Sequence, residues 1–371
     1  MTTTAWWVGT YPAAGAGTAT GQGEGIWRVD LDPVTGGLCA ARLVARTPAP
    51  TFLATHPSGR VLYAVAEADP GTVTAFAVTP DGLDPIATVG AGGEWPCHVL
   101  LAPDARTLYT SCYGSGTVGV LPLDPDGRFA GPVLAAGGAV QSLGHSGSGP
   151  RADRQEGPHA HFAATAPGGA HLLVCDLGTD DVRRLRRGGD GLLTDDGVAA
   201  HLPPGTGPRH LAVGGDGAGG HLLHVVGELD GAVHVLRWDP TTATAEPVRT
   251  VALTRTPLTA ESAPYADGTP LPSHVVLDGD RLVVAVRGPD VLVVLACDPA
   301  TGLPGDAREV TSGGAWPRHL AVHGDLALVA DQVGGRVAVV PLAPSHAVGD
   351  GGRVLGTADV PAAACVVPVV G

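Results

Sequence analysis

The sequence predicts an all-β protein, a seven-bladed β-propeller whose ring is closed by strands from both ends of the chain. Three observations support this fold class. The 371 residues include 56 Gly and 33 Pro and are 44% hydrophobic, which indicates many short buried strands joined by tight turns. Six units repeat the same order of motifs along the chain, and the two ends supply the parts of a seventh.

Each repeat opens with a proline and a short apolar run. The six opening prolines are Pro50, Pro96, Pro158, Pro208, Pro272 and Pro317. Their spacings of 46, 62, 50, 64 and 45 residues suit propeller blades of several strands each. In the first repeat a second apolar run follows at residues 61–66, and a third at 72–78. The two long spacings predict insertions near residues 138–157 and 254–271.

The two ends of the sequence complement each other. Residues 361–370, PAAACVVPVV, resemble the opening strand of a repeat, whereas residues 5–11 and 25–31 resemble later strands that lack an opener. Joined, they make a seventh blade and remove the exposed sheet edge of an open ring. We therefore expect a single domain over residues 1–371. The alternative, two separate β domains, has no linker rich in Pro and Ser to support it.

Composition excludes several function classes. The net charge is −14, and all 22 basic residues are arginine. We therefore expect no basic surface that could follow the phosphates of a nucleic acid, and no nucleic-acid partner. No run of about 18 apolar residues suggests a membrane span. The first residues lack a basic stretch followed by an apolar region. These observations predict a cytoplasmic protein. Closed propellers are often monomers, so we expect a monomer.

The six cysteines show neither a CxxC pair nor a regular framework. They are Cys39, Cys97, Cys112, Cys175, Cys297 and Cys365. Because they are scattered among apolar runs, we expect them to be small buried residues in a reducing compartment rather than disulfide partners.

Propeller geometry predicts where the functional residues meet. The innermost strand of each blade runs along the central channel, so the residues that begin these strands converge near one mouth. This position gathers His98, His159, His161, Arg209, His210, His274, Arg318 and His319. The ends of the second strands add Glu67, Tyr113, Asp176, Glu228, Arg287 and Gln332. The loop before His159 also carries Arg151 and Arg154.

Structural roles compete with functional ones at each of these positions. A histidine that recurs between blades often only satisfies a neighbouring backbone group. Glu228 and Arg287 lie in apolar strands, where a charge is costly unless paired or used, so a mutual ion pair is the alternative to catalysis. Asp176 precedes Leu-Gly-Thr-Asp and suits a turn, and the arginines at 183–187 suit a solvated blade edge.

The sequence gives no metal or cofactor signature. His159 and His161 alternate along a strand, but no further ligand lies at a suitable spacing nearby. A metal site assembled from several blades stays open. No phosphate-binding or dinucleotide-binding loop stands between a strand and a helix. We therefore expect neither a metal nor a cofactor.

The order of segments resembles the lactonase family of seven-bladed propellers. That family includes bacterial cycloisomerase-type 6-phosphogluconolactonases and is related to fungal 3-carboxy-cis,cis-muconate lactonizing enzyme. The segments that carry the resemblance are GTY at 9–11, TFLATHPSGRVLYAVAE at 51–67, GHSGSGP at 144–150, RQEGPHAH at 154–161, PGTGPRHLAV at 204–213, GEL at 227–229 and VRG at 286–288. The resemblance implies a metal-independent site of one histidine, two arginines and one glutamate. By motif these fall on His161, Arg209, Glu228 and Arg287.

The resemblance implies a lactonase that takes a small lactone or carboxylate, with 6-phospho-D-glucono-1,5-lactone as the expected substrate. We expect His159, His98, Arg154, His210, His274 and Arg318 to contact that substrate. A phosphate would need a second anion pocket from Arg151, Arg154 or Arg318. The alternatives are a cycloisomerase or cyclase that acts on another carboxylated substrate, and a propeller that binds a ligand or protein without catalysis. The altered fifth blade and its inserted loop predict different substrate contacts there.

Overall fold

The computed structural model describes residues 3–11, 23–39, 41–343 and 353–370. Within these residues the strands form seven antiparallel sheets of four strands each. Short helical segments occur only between strands in the described chain, at α1 (Gly131–Ala136) and at a single 3₁₀ turn (Ala263–Tyr265). The predicted seven-bladed propeller is therefore confirmed.

Six blades are continuous in sequence. The first contains β4 (Leu53–Thr55), β5 (Val61–Ala66), β6 (Thr72–Thr79) and β7 (Gly82–Gly90). The second contains β8 (Pro96–Leu101), β9 (Thr107–Cys112), β10 (Thr117–Pro122) and β11 (Gln141–Leu143). The third contains β12 (Ala160–Thr165), β13 (His171–Asp176), β14 (Asp181–Arg187) and β15 (Leu193–His201).

The next three blades follow the same order from the innermost strand outward. The fourth contains β16 (Pro208–Gly215), β17 (His221–Gly227), β18 (Ala232–Asp239) and β19 (Thr244–Ala252). The fifth contains β20 (Leu271–Asp278), β21 (Arg281–Arg287), β22 (Val291–Cys297) and β23 (Pro304–Thr311). The sixth contains β24 (Pro317–His323), β25 (Leu326–Asp331), β26 (Arg336–Pro341) and β27 (Gly356–Asp359).

The seventh blade joins the two ends of the chain, as predicted. It contains β1 (Thr4–Thr10), β2 (Gly25–Leu31), β3 (Arg42–Arg46) and, innermost, β28 (Ala363–Pro368). Strand β28 pairs with β1 in antiparallel register, with Val366 opposite Val8. This pairing satisfies the inner edge of β1 and closes the ring.

Apolar clusters between neighbouring blades hold the ring together. Trp7 of the seventh blade is 1% exposed and packs in a cluster with Leu53, Leu62 and Phe76 of the first blade. The continuous apolar runs of the second strands, such as VLYAVA in β5, are buried on both faces because each sheet is covered by a blade on either side.

Replacing Trp7 by Ala is expected to lower the free energy of unfolding by about 3–5 kcal/mol, because it removes a large buried side chain from the closing contact between blades. Urea denaturation measures this change. Val34→Ala is the control, since Val34 is 88% exposed and its loss should have no measurable effect. Equal stability of the two variants would contradict the structural role of the closing blade.

Two sequence expectations need adjustment. The first predicted insertion, near 138–157, contains β11, the short outer strand of the second blade, so the inserted loop proper begins after it.

Five of the six cysteines are buried, but Cys39 is exposed, so the expectation that all are buried was wrong for Cys39. None of the six forms a disulfide in the described chain. No described helix is long and apolar enough to cross a membrane.

Candidate active site

A β-bulge at the start of the inner strand recurs in six blades, and in β28 of the seventh blade it falls at Ala364. In β8, β12, β16, β20 and β24 the register shifts across a single residue near the strand's start. The residues at these shifts are Cys97, His161, Arg209, Ser273 and Arg318. A bulge re-aims the side chain that it carries. Four of the five side chains line one cavity at the channel mouth.

That cavity has a volume of about 320 Å³, within the range of small-molecule sites. The ends of second strands contribute Glu67, Tyr113, Glu228 and Arg287. The complete lining is Tyr11, Glu67, Cys97, Tyr113, Arg154, His161, Arg209, Glu228, Tyr265, Leu271, Arg287, Trp316 and Arg318. All four predicted catalytic residues therefore share one cavity.

Three guanidinium groups surround the carboxylate of Glu228. Arg154 donates a hydrogen bond to Oε1 at 2.7 Å. Oε2 forms ion pairs with Nε of Arg209 at 2.8 Å and with a terminal nitrogen of Arg287 at 2.9 Å. Arg287 is fixed further by a 3.1 Å hydrogen bond to the carbonyl of Leu271. The ion pair that the sequence suggested between Glu228 and Arg287 is one of three ion pairs in this cluster.

Burial and charge act against each other in this cluster. Burial alone would raise the pKa of Glu228, but the charges of Arg287, Arg154 and Arg209 outweigh it and hold this pKa well below its usual range. Burial, followed by the charge of Arg287, lowers the pKa of Arg209 to about 9. Glu228 is therefore ionised at neutral pH, and three positive charges surround one negative charge.

His161 lies beside this cluster as a neutral imidazole. Burial, followed by the charge of Arg209, lowers its pKa well below the usual value, whereas Glu228 acts in the opposite direction. Its Nδ1 lies 3.7 Å from the Sγ of Cys97. Burial raises the pKa of the Cys97 thiol well above its ordinary value, so this thiol is protonated. His161 is thus available to accept a proton.

A second polar group, formed by Tyr11, Glu67 and Arg318, lines another part of the same cavity. Tyr11 donates a hydrogen bond to Oε1 of Glu67 and accepts one from Arg318 at 2.7 Å. The Arg318 guanidinium stacks on the Tyr11 ring at 4.3 Å and lies 3.8 Å from Oε1 of Glu67. We call these three residues the distal pole, and Glu228 with its three arginines the reaction pole.

The other predicted substrate contacts divide into two groups. Arg154 and Arg318 line the cavity. His98 and His210 are buried beside Phe52 and Phe162. His274 packs against His210, with its Nδ1 2.7 Å from Nδ1 of His210. All three histidines follow the bulged residues in sequence and are not among the described residues that line the cavity.

His159 also lies outside that lining within the described chain. Its ring stacks on Tyr113 at 4.2 Å, and its Nδ1 contacts the carbonyl of Tyr113 at 2.8 Å. The backbone N–H of His159 donates to Oδ1 of Asp176, which also accepts from the N–H groups of Gly178 and Thr179. Asp176 thus shapes a turn, as its sequence context suggested, and His159 supports the wall formed by Tyr113.

The two insertions meet beside the cavity. Arg151 of the first forms an ion pair with Asp267 of the second at 2.7 Å. The first insertion delivers Arg154 to Glu228. The second delivers Tyr265, whose ring packs edge-on against Trp316 at 5.7 Å. The insertions therefore build part of the wall of the cavity.

Sequence reasoning did not assign five of the lining residues to the site: Tyr11, Cys97, Tyr265, Leu271 and Trp316. Tyr11 ends the GTY segment, and Trp316 stands directly before the opening proline of the sixth repeat, so both carried a weak positional signal. Tyr265 lies within an insertion without periodicity, where no sequence pattern reveals it. In the described chain, no group of three or more His, Cys, Asp or Glu is arranged to hold a metal ion.

Comparison with known proteins agrees with the seven-bladed fold. Residues 5–368 match the family model described as lactonase, 7-bladed beta-propeller. A 6-phosphogluconolactonase of Bacillus subtilis is 31% identical over 315 residues, which cover 84% of this chain and 83% of that protein. The Pseudomonas aeruginosa periplasmic gluconolactonase PpgL superposes with a TM-score of 0.82 at 26% identity, over 99% of both chains. The chain therefore belongs to the lactonase family of seven-bladed β-propellers.

Proposed function

We propose that this lactone hydrolase acts on a sugar lactone at the reaction pole. One observation carries the proposal: His161, Arg209, Glu228 and Arg287 meet in a single cavity where positive charge exceeds negative charge. A propeller that only binds a ligand or a protein has no need of three guanidinium groups around a buried carboxylate. The ion-pair cluster is costly to bury, and developing negative charge on a substrate offsets that cost.

The same geometry suggests the order of proton transfers. His161 takes a proton from a water molecule as that water attacks the lactone carbonyl carbon. Arg209 and Arg287 stabilise the oxyanion that forms on the carbonyl oxygen. The imidazolium then returns its proton to the ring oxygen as the carbon–oxygen bond breaks, which leaves a hydroxy acid. Glu228 stays ionised among its three arginines, and its charge stabilises the transient imidazolium.

Cyclisation is the second candidate, because the surplus positive charge also suits a substrate carboxylate. In that reaction the arginines would hold the carboxylate while it adds across a double bond. A proton taken up from solvent would pass through His161 to the neighbouring carbon. This is lactone formation rather than lactone hydrolysis. A substrate series with unsaturated dicarboxylates distinguishes the two reactions, since only a cyclase would convert them.

The names of similar proteins suggest two lactones for a first assay. One is 6-phospho-D-glucono-1,5-lactone, the sequence-based expectation, which matches the name of the Bacillus subtilis relative. The other is unphosphorylated D-glucono-1,5-lactone, which fits the description of the Pseudomonas aeruginosa protein. A cytoplasmic location, a monomeric state, and the absence of a cofactor and of nucleic-acid or membrane partners all stay predictions.

His161→Ala is expected to lower kcat for either lactone by roughly 10²–10⁴, since it removes the proposed proton acceptor. The measurement follows acid release with a pH indicator and subtracts spontaneous hydrolysis. His201→Ala is the control, because His201 is exposed and pairs only with Asp181 among described residues. A folded His161→Ala variant with the wild-type rate would remove His161 from the mechanism. Wild-type protein without any acceleration on either lactone would count against hydrolysis of sugar lactones.

A further inference from the structure

The two poles of the cavity differ in net charge. The reaction pole carries three arginines and one glutamate, whereas the distal pole carries one arginine and one glutamate. The distal pole is therefore neutral overall, and Tyr11 links its two charged groups by hydrogen bonds. Glu67 directly follows the second strand of the first blade and Glu228 directly follows that of the fourth blade, on opposite sides of the ring. A substrate whose carbonyl group lies at the reaction pole therefore presents its opposite end to the distal pole.

Each of the three arginines considered for a phosphate pocket has a carboxylate partner. Arg154 binds Glu228, and Arg318 lies with Glu67. Arg151 pairs with Asp267 and also with Asp153, at 3.4 Å. A phosphate group that approached any of them would meet a carboxylate as well, and like charges at close range repel strongly where water is excluded.

The distal pole offers both a donor and an acceptor to a ligand. Oε2 of Glu67 is buried and has no hydrogen-bond partner among the described residues, and buried polar atoms are rarely left so. The Arg318 guanidinium supplies N–H donors. A hydroxyl group can donate to the carboxylate and accept from the guanidinium at once. An anion would meet Glu67, a cation would meet Arg318, and an apolar group would satisfy neither.

We propose that Glu67, Tyr11 and Arg318 form a specificity subsite for a substrate hydroxyl group, so that the chain prefers a neutral hydroxylated lactone to its 6-phosphorylated form. This inference rests on the proposed lactone hydrolysis. It assigns Glu67 a selective role, in which its negative charge excludes phosphate and its carboxylate accepts a hydrogen bond from the hydroxyl.

The test compares kcat/KM for D-glucono-1,5-lactone and 6-phospho-D-glucono-1,5-lactone in wild-type protein and in Glu67→Gln. Wild-type protein is expected to favour the unphosphorylated lactone by about 10-fold or more. Glu67→Gln keeps the shape of the side chain but leaves the charge of Arg318 uncompensated. The ratio should then shift toward the phosphorylated lactone by about 10-fold. A wild-type preference for the phosphorylated lactone, or an unchanged ratio in Glu67→Gln, would overturn the inference.

Asp153→Asn is the matched control, because it removes a carboxylate near Arg151 whose side chain is 66% exposed. Its ratio should equal that of wild type, and an equal shift in both variants would show a long-range charge effect and overturn the subsite. Calorimetric binding of D-gluconate and 6-phosphogluconate separates this inference from the proposed function. If neither lactone is hydrolysed, the subsite is still supported when wild-type protein binds D-gluconate more tightly than 6-phosphogluconate and Glu67→Gln reverses this preference. If wild-type protein shows no such preference, the subsite is rejected.

Discussion

Glu228→Gln is expected to lower kcat/KM for lactone hydrolysis by about 10²–10⁴ and the free energy of unfolding by about 3–5 kcal/mol. Both effects have one cause. Glu228 is the carboxylate that Arg154, Arg209 and Arg287 all contact, at 2.7–2.9 Å. The amide leaves three guanidinium groups close together without a counter-charge. Their mutual repulsion destabilises the fold and moves Arg209 and Arg287 from the position in which we propose that they stabilise an oxyanion.

Rates from the lactone assay and urea denaturation curves measure the two effects separately. Glu228→Asp serves as the second variant, because it keeps the charge but shortens the side chain, so it should remain folded and lose mainly rate. The control is Asp325→Asn, which breaks a surface ion pair with Arg281 where the Asp325 side chain is 74% exposed. Such pairs contribute little, so stability and rate should not change. Wild-type turnover in folded Glu228→Gln would remove this residue from the active site.

The second large effect expected is a loss of stability in mild acid. Five histidines are buried near the channel and have pKa values below the ordinary value of 6.5, with burial as the largest cause for each. They are His98, His161, His210, His274 and His319. The pKa values of His98 and His319 fall to about 3. As the pH falls below 6.5, these histidines take up protons only in the unfolded chain, so unfolding becomes more favourable.

Each such histidine lowers the free energy of unfolding by about 1.4 kcal/mol for every pH unit below its ordinary pKa. Three carboxyl groups act in the opposite direction, because burial raises the pKa of Asp176, Asp290 and Asp331. The histidines are the larger set. We therefore expect the free energy of unfolding to fall by about 3 kcal/mol or more between pH 7.5 and 5.5.

Denaturant titrations at several pH values provide this measurement. His274→Gln removes one titrating group from the stack that His274 forms with His319 at 3.9 Å, so its stability should depend less steeply on pH. His201→Gln changes an exposed histidine and should keep the wild-type slope. A free energy of unfolding that is constant over this pH range would contradict neutral burial of the five histidines.

The sequence could predict the ring because its signals are local and repeated. Spaced prolines such as Pro50 and Pro96, each followed by apolar runs, specify short buried strands, and the complementary ends specify closure. The cluster of Glu228 and Arg287 was also visible, since charges inside apolar strands such as HLLHVVGEL need partners or a function. The lactonase motifs then identified His161 and Arg209 beside them.

The sequence could not distinguish between neighbouring residues at the start of each inner strand. Arg209 and His210 are adjacent, and strict alternation along a strand does not tell which of them faces the cavity. The bulge between Pro208 and His210 decides the matter. It turns Arg209 into the cavity and leaves His210 packed against His274. The same shift distinguishes Arg318 from His319.

The seven blades, their closure and the residue types at the channel mouth can be read from the sequence, because they follow from local periodicity repeated along the chain. Which side chains share the cavity depends on tertiary packing. Arg154 reaches Glu228 from an insertion, and Tyr11 meets Glu67 and Arg318 from other blades. Such contacts join segments far apart in the chain, and their geometry depends on bulges and loop packing that no local pattern encodes.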